Sequence, residues 1–203
     1  VRHILPRTVR VQVLDGKALK STASGVVVGA ESTPEGTVSY VLTNQHVVDV
    51  ADLKDPRYSV LVDLKGDTLE FRAEAVARGK VPEMDLALVK VHGVGLEAAE
   101  LATDDELEPG DDVVVVGAPY GRALSVSGGM VSQVERDPKS RTPTMLKTGA
   151  AIGYGASGGG VFSRTTGRLL AIVEGYRTAK VGFAVAEQDF SFDVPMPGET
   201  FAA

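Results

Sequence analysis

The chain contains no cysteine and no tryptophan, and aromatic residues fill only 5% of its 203 positions. Without cysteine there is no disulfide, no thiolate nucleophile and no cysteine-held zinc. No apolar run approaches the roughly 18 residues a membrane-crossing helix requires, so no membrane span is expected. No signal peptide is visible, and the first residue is Val1 rather than Met, so we expect an upstream segment to have been removed. Runs of Lys and Arg are missing too. The 21 Lys and Arg against 27 Asp and Glu leave a net charge of −6. Such a surface repels polyphosphate, and nucleic acid is not an expected partner. No carboxylate cluster matches an EF-hand loop, and neither a metal nor a cofactor is expected. Helical periodicity is scarce: the best candidate, GLEAAELATDDELEPG (95–110), is polar and reads as part of a connection.

Short runs rich in Val, Ile and Leu are abundant: VRVQVL, SGVVVG, YVLTN, YSVLVDL, DLALVKV, DDVVVVGA, RLLAIVEG and VGFAVA. Each is bounded by Gly, Pro, Asp or Asn, the strand-and-turn signature of an all-β sandwich or barrel. The length fits one domain or two fused halves. The halves are expected at 8–95 and 105–188, followed by an extended tail, 189–203, that carries two prolines.

GYGASGGGVF (153–162) sets one serine among five glycines. Gly153, Gly155 and Gly158 fit G-x-G-x-x-G, yet the following GGVF is a poor helix start, which a dinucleotide site would need. No G-K-[ST] follows, which removes a P-loop. The elbow motif G-x-S-x-G requires a histidine after the serine, whereas His3, His46 and His92 all precede Ser157. The chain order His46, Asp85, Ser157 survives. Asp15, the alternative acid, sits in an LDGK turn, and His46 is followed by Val-Val rather than a glycine helix start. A serine hydroxyl becomes nucleophilic when an imidazole accepts its proton, and an aspartate fixes the imidazole tautomer. Gly155 allows its own N–H and that of Ser157 to face one pocket as an oxyanion hole. Gly158, Gly159 and Gly160 are expected to keep the space around the hydroxyl clear. His46 and Asp85 fall in the first half and Ser157 in the second, which puts the site in the cleft between them.

VLTNQHVV, DLALVKV, GDDVVVVGAPYG, SGGMVSQVER, KTGAAIGYGASGGGVF and VGFAVA together resemble HtrA/Deg-type serine proteases of the chymotrypsin fold. The resemblance runs over residues 24–186. It implies two six-stranded antiparallel β-barrels, with His46 as base, Asp85 as its orienting acid and Ser157 as nucleophile. It also implies a serine endopeptidase that cuts peptides or unfolded proteins through an acyl-enzyme, located in the periplasm or secreted. On the same basis Ala151, Ile152 and Gly153 form one wall of the primary pocket, with Gly182 and Phe183 near another. No charge stands at those positions, so a small or medium apolar residue before the scissile bond is expected. Val173, Glu174 and Gly175 would pair with the substrate backbone as an added strand, and Glu174 would disfavour acidic peptides.

Three positions depart from the family pattern: Ala156 where Asn is common, Gly160 where Pro is common, and Gly149 where Asp is common. They motivate a second reading, a latent protease fold that binds peptides without cutting them. Ala156 cannot pair with a freed N-terminus, so activation by N-terminal cleavage is not expected. No PDZ module is expected within these residues, and VRHILPRTV lacks the aromatics of the family's trimer contact, which leaves a homo-oligomer open. His3 and His92 are expected in solvent, and Asp104, Asp105, Asp111 and Asp112 in turns and caps.

Overall fold

The computed structural model describes residues 2–34, 36–64, 66–81, 84–103, 107–185 and 188–202, with backbone alone for 176–185 and 188–201. The first six strands are β1 (Thr8–Asp15), β2 (Ala18–Thr33), β3 (Gly36–Thr43), β4 (Pro56–Leu64), β5 (Asp67–Arg78) and β6 (Ala87–His92). They close a barrel in the order β1-β2-β3-β6-β5-β4, with β1 pairing back onto β4. The second six are β7 (Asp112–Gly117), β8 (Ser125–Arg136), β9 (Pro143–Thr148), β10 (Gly160–Ser163), β11 (Leu169–Val185) and β12 (Gln188–Ala202). They close as β10-β11-β12-β9-β8-β7, with β7 pairing back onto β10. The named strand pairs are antiparallel, and the described residues contain no α-helix.

Side-chain alternation decides which residues fill each barrel. Val9, Val11 and Val13 of β1 point into the first barrel with Val27, Val41, Val60 and Val89. β7 has no free face. Its Val113 and Val115 join the core of the second barrel, whereas Val114 and Val116 point the other way. There they meet Val26 of β2, Phe162 of β10 and Ile172 of β11, an apolar seam between the barrels in which Phe162 is fully buried. Each valine so buried contributes roughly 1.5–3 kcal/mol of transfer free energy. The seam therefore fixes the relation between the two halves.

Two expectations need correction. Residues 189–202 of the expected tail form most of β12, which pairs with β11 through Gln188–Pro195 and Thr200–Ala202 and with β9 through Thr200–Ala202. The reason is topological: the second barrel closes only if a strand lies between β11 and β9. Leu169–Gly175 of RLLAIVEG and Val181–Val185 of VGFAVA, read as separate runs, belong to the single strand β11, which is interrupted by register shifts after Val173 and Tyr176.

The described residues of the polar connection form no helix. Its Ala99 N–H donates to Val27 O of the first barrel, and Glu100 O accepts the N–H of Leu169 in the second. Asp111 caps a turn by accepting the Glu108 N–H, while Asp104 and Asp105 lie outside the described residues.

Candidate active site

β3 and β6 are neighbours, with Thr43 opposite Ala87, so the residues just past the end of one and just before the start of the other come together. These are His46 and Asp85. One oxygen of the Asp85 carboxylate accepts the His46 main-chain N–H at 2.9 Å, and the other lies 2.5 Å from His46 Nδ1. Asn44, almost fully buried, donates from its side chain to Asp85 O at 2.9 Å and ties the two turns together. Nδ1 is engaged by a buried carboxylate, which leaves Nε2 as the ring nitrogen available to the cleft. Tyr58 braces the same turn from below by donating to Val48 O at 2.9 Å. Its burial pushes the Tyr58 hydroxyl above the usual phenol value, opposed by the nearby Arg78 guanidinium.

Ser157 sits in the loop that leads into β10, and four successive carbonyls of that loop are held. Tyr154 O accepts from Tyr120 N at 2.5 Å, Gly155 O from Ser24 Oγ at 2.9 Å, Ala156 O from Gly159 N and Ser157 O from Ser24 N, both at 2.8 Å. In a trans peptide the N–H points opposite the preceding carbonyl. The Gly155 and Ser157 N–H groups are thereby turned away from these anchors, and among the described residues neither donates a hydrogen bond. Gly155 holds φ at +90°, and a Cβ there would lie 2.9 Å from Tyr120 N and 3.0 Å from Ala118 O.

The three glycines after Ser157 are small for a different reason from the one expected. A Cβ on Gly158 would overlap the Ser24 carbonyl oxygen, one on Gly159 would press on Val116 O, and one on Gly160 would overlap the Phe162 ring. They let the loop pack against the backbone and the seam rather than opening space in front of the hydroxyl.

His46 and Ser157 line one cleft of about 250 Å³ between the barrels, together with Ile152, Gly153, Gly155 and Gly175. Among the described residues its lining holds no Asp, Glu, Lys or Arg. The Ser157 hydroxyl donates to Glu174 O at 3.4 Å, and no hydrogen bond between Ser157 and His46 is formed among the described residues. Ala151 is exposed and does not line the cleft. Val173 is displaced from its expected role: its side chain is fully buried in the second barrel, and its N–H and C=O are both taken, by Gly159 O and Gly158 N. Gly182 and Phe183 stand on β11 opposite Ser191 and Phe190, with their side chains outside the described residues. His3 is exposed, and His92 pairs on the surface with Glu74 at 3.1 Å. Among the described residues no group of three or more His, Asp or Glu side chains is placed to hold a metal ion, and no helix is long and apolar enough to cross a membrane.

Several contributors were not singled out in the sequence. Thr22 and Tyr154 add to the cleft lining, Tyr120 fixes the loop from the turn after β7, and Asn44 and Ser24 act from the first barrel. Asn44 stands two residues before His46, a position that was a usable signal. Ser24 pairs with residues more than a hundred positions away, and nothing local marks it.

Comparison with known proteins places the chain among serine proteases of this fold. A family model described as a trypsin-like peptidase domain matches residues 23–172. The chain is 35% identical over 178 residues to a probable periplasmic serine endoprotease, DegP-like, of Ectopseudomonas mendocina, covering 87% of this chain and 33% of that protein. It is 32% identical over 180 residues to a probable periplasmic serine protease, do/HhoA-like, of Haemophilus influenzae, covering 87% and 34%. The chain thus spans about a third of the length of these relatives. Among solved structures, an HtrA-type protease with tripeptide superposes with a TM-score of 0.68 at 26% identity, covering 98% of this chain and 56% of that one. Deg5 superposes with a TM-score of 0.67 at 23% identity, a likeness of fold, covering 94% and 84%.

Proposed function

The chain belongs to the trypsin-like peptidase domain family, and from that premise we propose that it is a serine endopeptidase acting on peptides or unfolded proteins. The observation that carries the reading is the convergence on one cleft of a carboxylate-anchored imidazole, a hydroxyl and two N–H groups without acceptors.

In the proposed mechanism the Ser157 hydroxyl turns from Glu174 O toward His46, a change of about 120° from one staggered rotamer to the next. Ser157 Oγ attacks the scissile carbonyl carbon as its proton passes to His46 Nε2. Asp85 stabilises the resulting imidazolium through Nδ1–H. The Gly155 and Ser157 N–H groups receive the oxyanion, an interaction whose loss typically costs ~2.7–4 kcal/mol of transition-state stabilisation. His46 then protonates the leaving amine, and the acyl group stays on Ser157 as an ester. Water, deprotonated by His46, attacks the ester carbon, and the imidazolium returns that proton to Ser157 Oγ as the acid leaves. The Glu174 carbonyl and Gly175 would carry the substrate backbone, with Ile152 and Gly153 forming the wall beside its first side chain. The uncharged lining favours a small or medium apolar residue there. The periplasmic names of the relatives support a location outside the cytoplasm.

One observation favours the second reading. The Ser157 hydroxyl is bonded to Glu174 O and not to His46, as in a latent site that would hold peptides by strand addition without cutting them. Fluorophosphonate labelling separates the two. Labelling of the wild-type chain that is lost in Ser157→Ala, with casein hydrolysis lost in parallel, is the expected result. Peptide binding with neither labelling nor turnover would replace the endopeptidase with the latent binder.

A further inference from the structure

Ser24 lies on β2 of the first barrel, yet its hydrogen bonds reach mainly into the second. Its main-chain N–H donates to Ser157 O at 2.8 Å, its hydroxyl donates to Gly155 O at 2.9 Å, and the same hydroxyl accepts the Ala118 N–H at 2.8 Å. Its own carbonyl accepts from Thr43 Oγ1 at 2.8 Å. The residue has no exposed surface. One hydroxyl therefore spends a donor and an acceptor on two backbone groups that no water can reach.

We infer that Ser24 is a positioning residue for the oxyanion pocket, setting the orientation of the Gly155 and Ser157 amides from across the barrel seam. The inference rests on the endopeptidase reading and deepens it. Ser24 acts on both of the peptides that meet at Gly155. Directly, it pins the carbonyl of Gly155. Indirectly, it holds Ala118, the residue before the Pro119–Gly121 turn, and Tyr120 N–H of that turn pins the carbonyl of Tyr154. Tyr120 holds φ at +58° in this turn, a conformation that a non-glycine residue keeps only when its surroundings impose it. The Ala118 N–H bond to Ser24 is one such imposition. The close approach needed for this arrangement is built in at Gly117 and Gly158, where a Cβ would crowd Ser24 Oγ and overlap Ser24 O respectively. Thr43 bonds only to the Ser24 carbonyl and so provides a comparison within the same cluster.

The test compares Ser24→Ala with Thr43→Val in the full chain. A misplaced oxyanion pocket lowers kcat rather than raising KM, so Ser24→Ala is expected to reduce kcat about 10- to 100-fold with KM within about two-fold. Its fluorophosphonate labelling rate should fall by the same factor. Thr43→Val should lower Tm while keeping kcat within about two-fold of wild type. Ser24→Cys keeps the shape with a weaker donor and acceptor, and its kcat should fall between the two. It serves as the test variant if the alanine form does not fold. The ¹H–¹⁵N resonances of Gly155 and Ser157 should move in the Ser24 variants and stay in place in Thr43→Val. Those resonances read the positioning even if the wild-type chain fails to label, which would end the endopeptidase reading alone. Unmoved Gly155 and Ser157 resonances with wild-type kcat in the Ser24 variants would overturn the inference.

Discussion

Asp85 holds His46 twice with one carboxylate, through the main-chain N–H at 2.9 Å and through Nδ1 at 2.5 Å. The ring is thereby tied to its own backbone by an acid from the turn that enters β6. Replacing Asp85 with Asn keeps an oxygen for the main-chain N–H but can present an NH₂ to Nδ1, which drives the ring proton to Nε2. That nitrogen can then no longer accept a proton from Ser157. On the proposed mechanism Asp85→Asn should lower kcat by about 10⁴-fold, the scale of the tautomer effect in chymotrypsin-type triads. Steady-state hydrolysis of a peptide substrate checks this, and a loss below ten-fold would contradict it.

Gly155→Ala places a methyl group against Tyr120 N and Ala118 O in a backbone conformation that disfavours any Cβ. The loop must shift, and with it one proposed oxyanion donor. The expected loss in kcat is about 10²–10³-fold. The fluorophosphonate labelling rate is the measurement, and a wild-type rate would remove Gly155 from the oxyanion pocket.

Phe162 fills the seam between the barrels with no exposed surface. Phe162→Ala should lower unfolding stability by about 3–5 kcal/mol, read as a shifted urea midpoint. A change under about 1 kcal/mol would mean that the seam repacks around the hole.

Tyr58→Phe removes the hydrogen bond to Val48 O beneath the histidine turn, and about 1 kcal/mol of stability should go with it. The pH dependence has a definite sign. Burial favours the neutral phenol, so the folded-state pKa lies above the unfolded value. The contribution is therefore complete below the ordinary tyrosine value and is lost as the pH rises through the higher folded one. Urea midpoints of both proteins between neutral and strongly alkaline pH should converge at the top of the range. Constant separation would refute the assignment.

The strings around His46, Asp85 and Ser157 were legible because each combines a chemically capable side chain with a turn at a strand end. The valine runs of β1, β3 and β7 were legible because burial imposes their composition. β5 shows the limit. Its burial is slight, with Ala73 its only buried residue, and it is a strand because β4 and β6 pair with it on either side. The end of β12 was hidden by its prolines, since barrel closure overrides what local composition prefers. Val173 misled because its side chain turns into the barrel and both of its backbone groups are taken by the Gly158–Gly159 loop, while the next carbonyl, that of Glu174, faces the serine. Ser24 gave no signal of its own: its partners are set by the docking of two barrels, a distance no local pattern spans.

The valines of β7 serve two masters, and this has a consequence for how the chain comes into being. The first barrel is complete by His92, but Val26 has no apolar neighbour across the seam until Val114, Phe162 and Ile172 have been synthesised. During translation the N-terminal half therefore carries a sticky flank, and its imidazole has no hydroxyl to face. A triad assembled in this order has no hydroxyl to activate until Ser157 and the strands that seat it, β10 and β11, have left the ribosome.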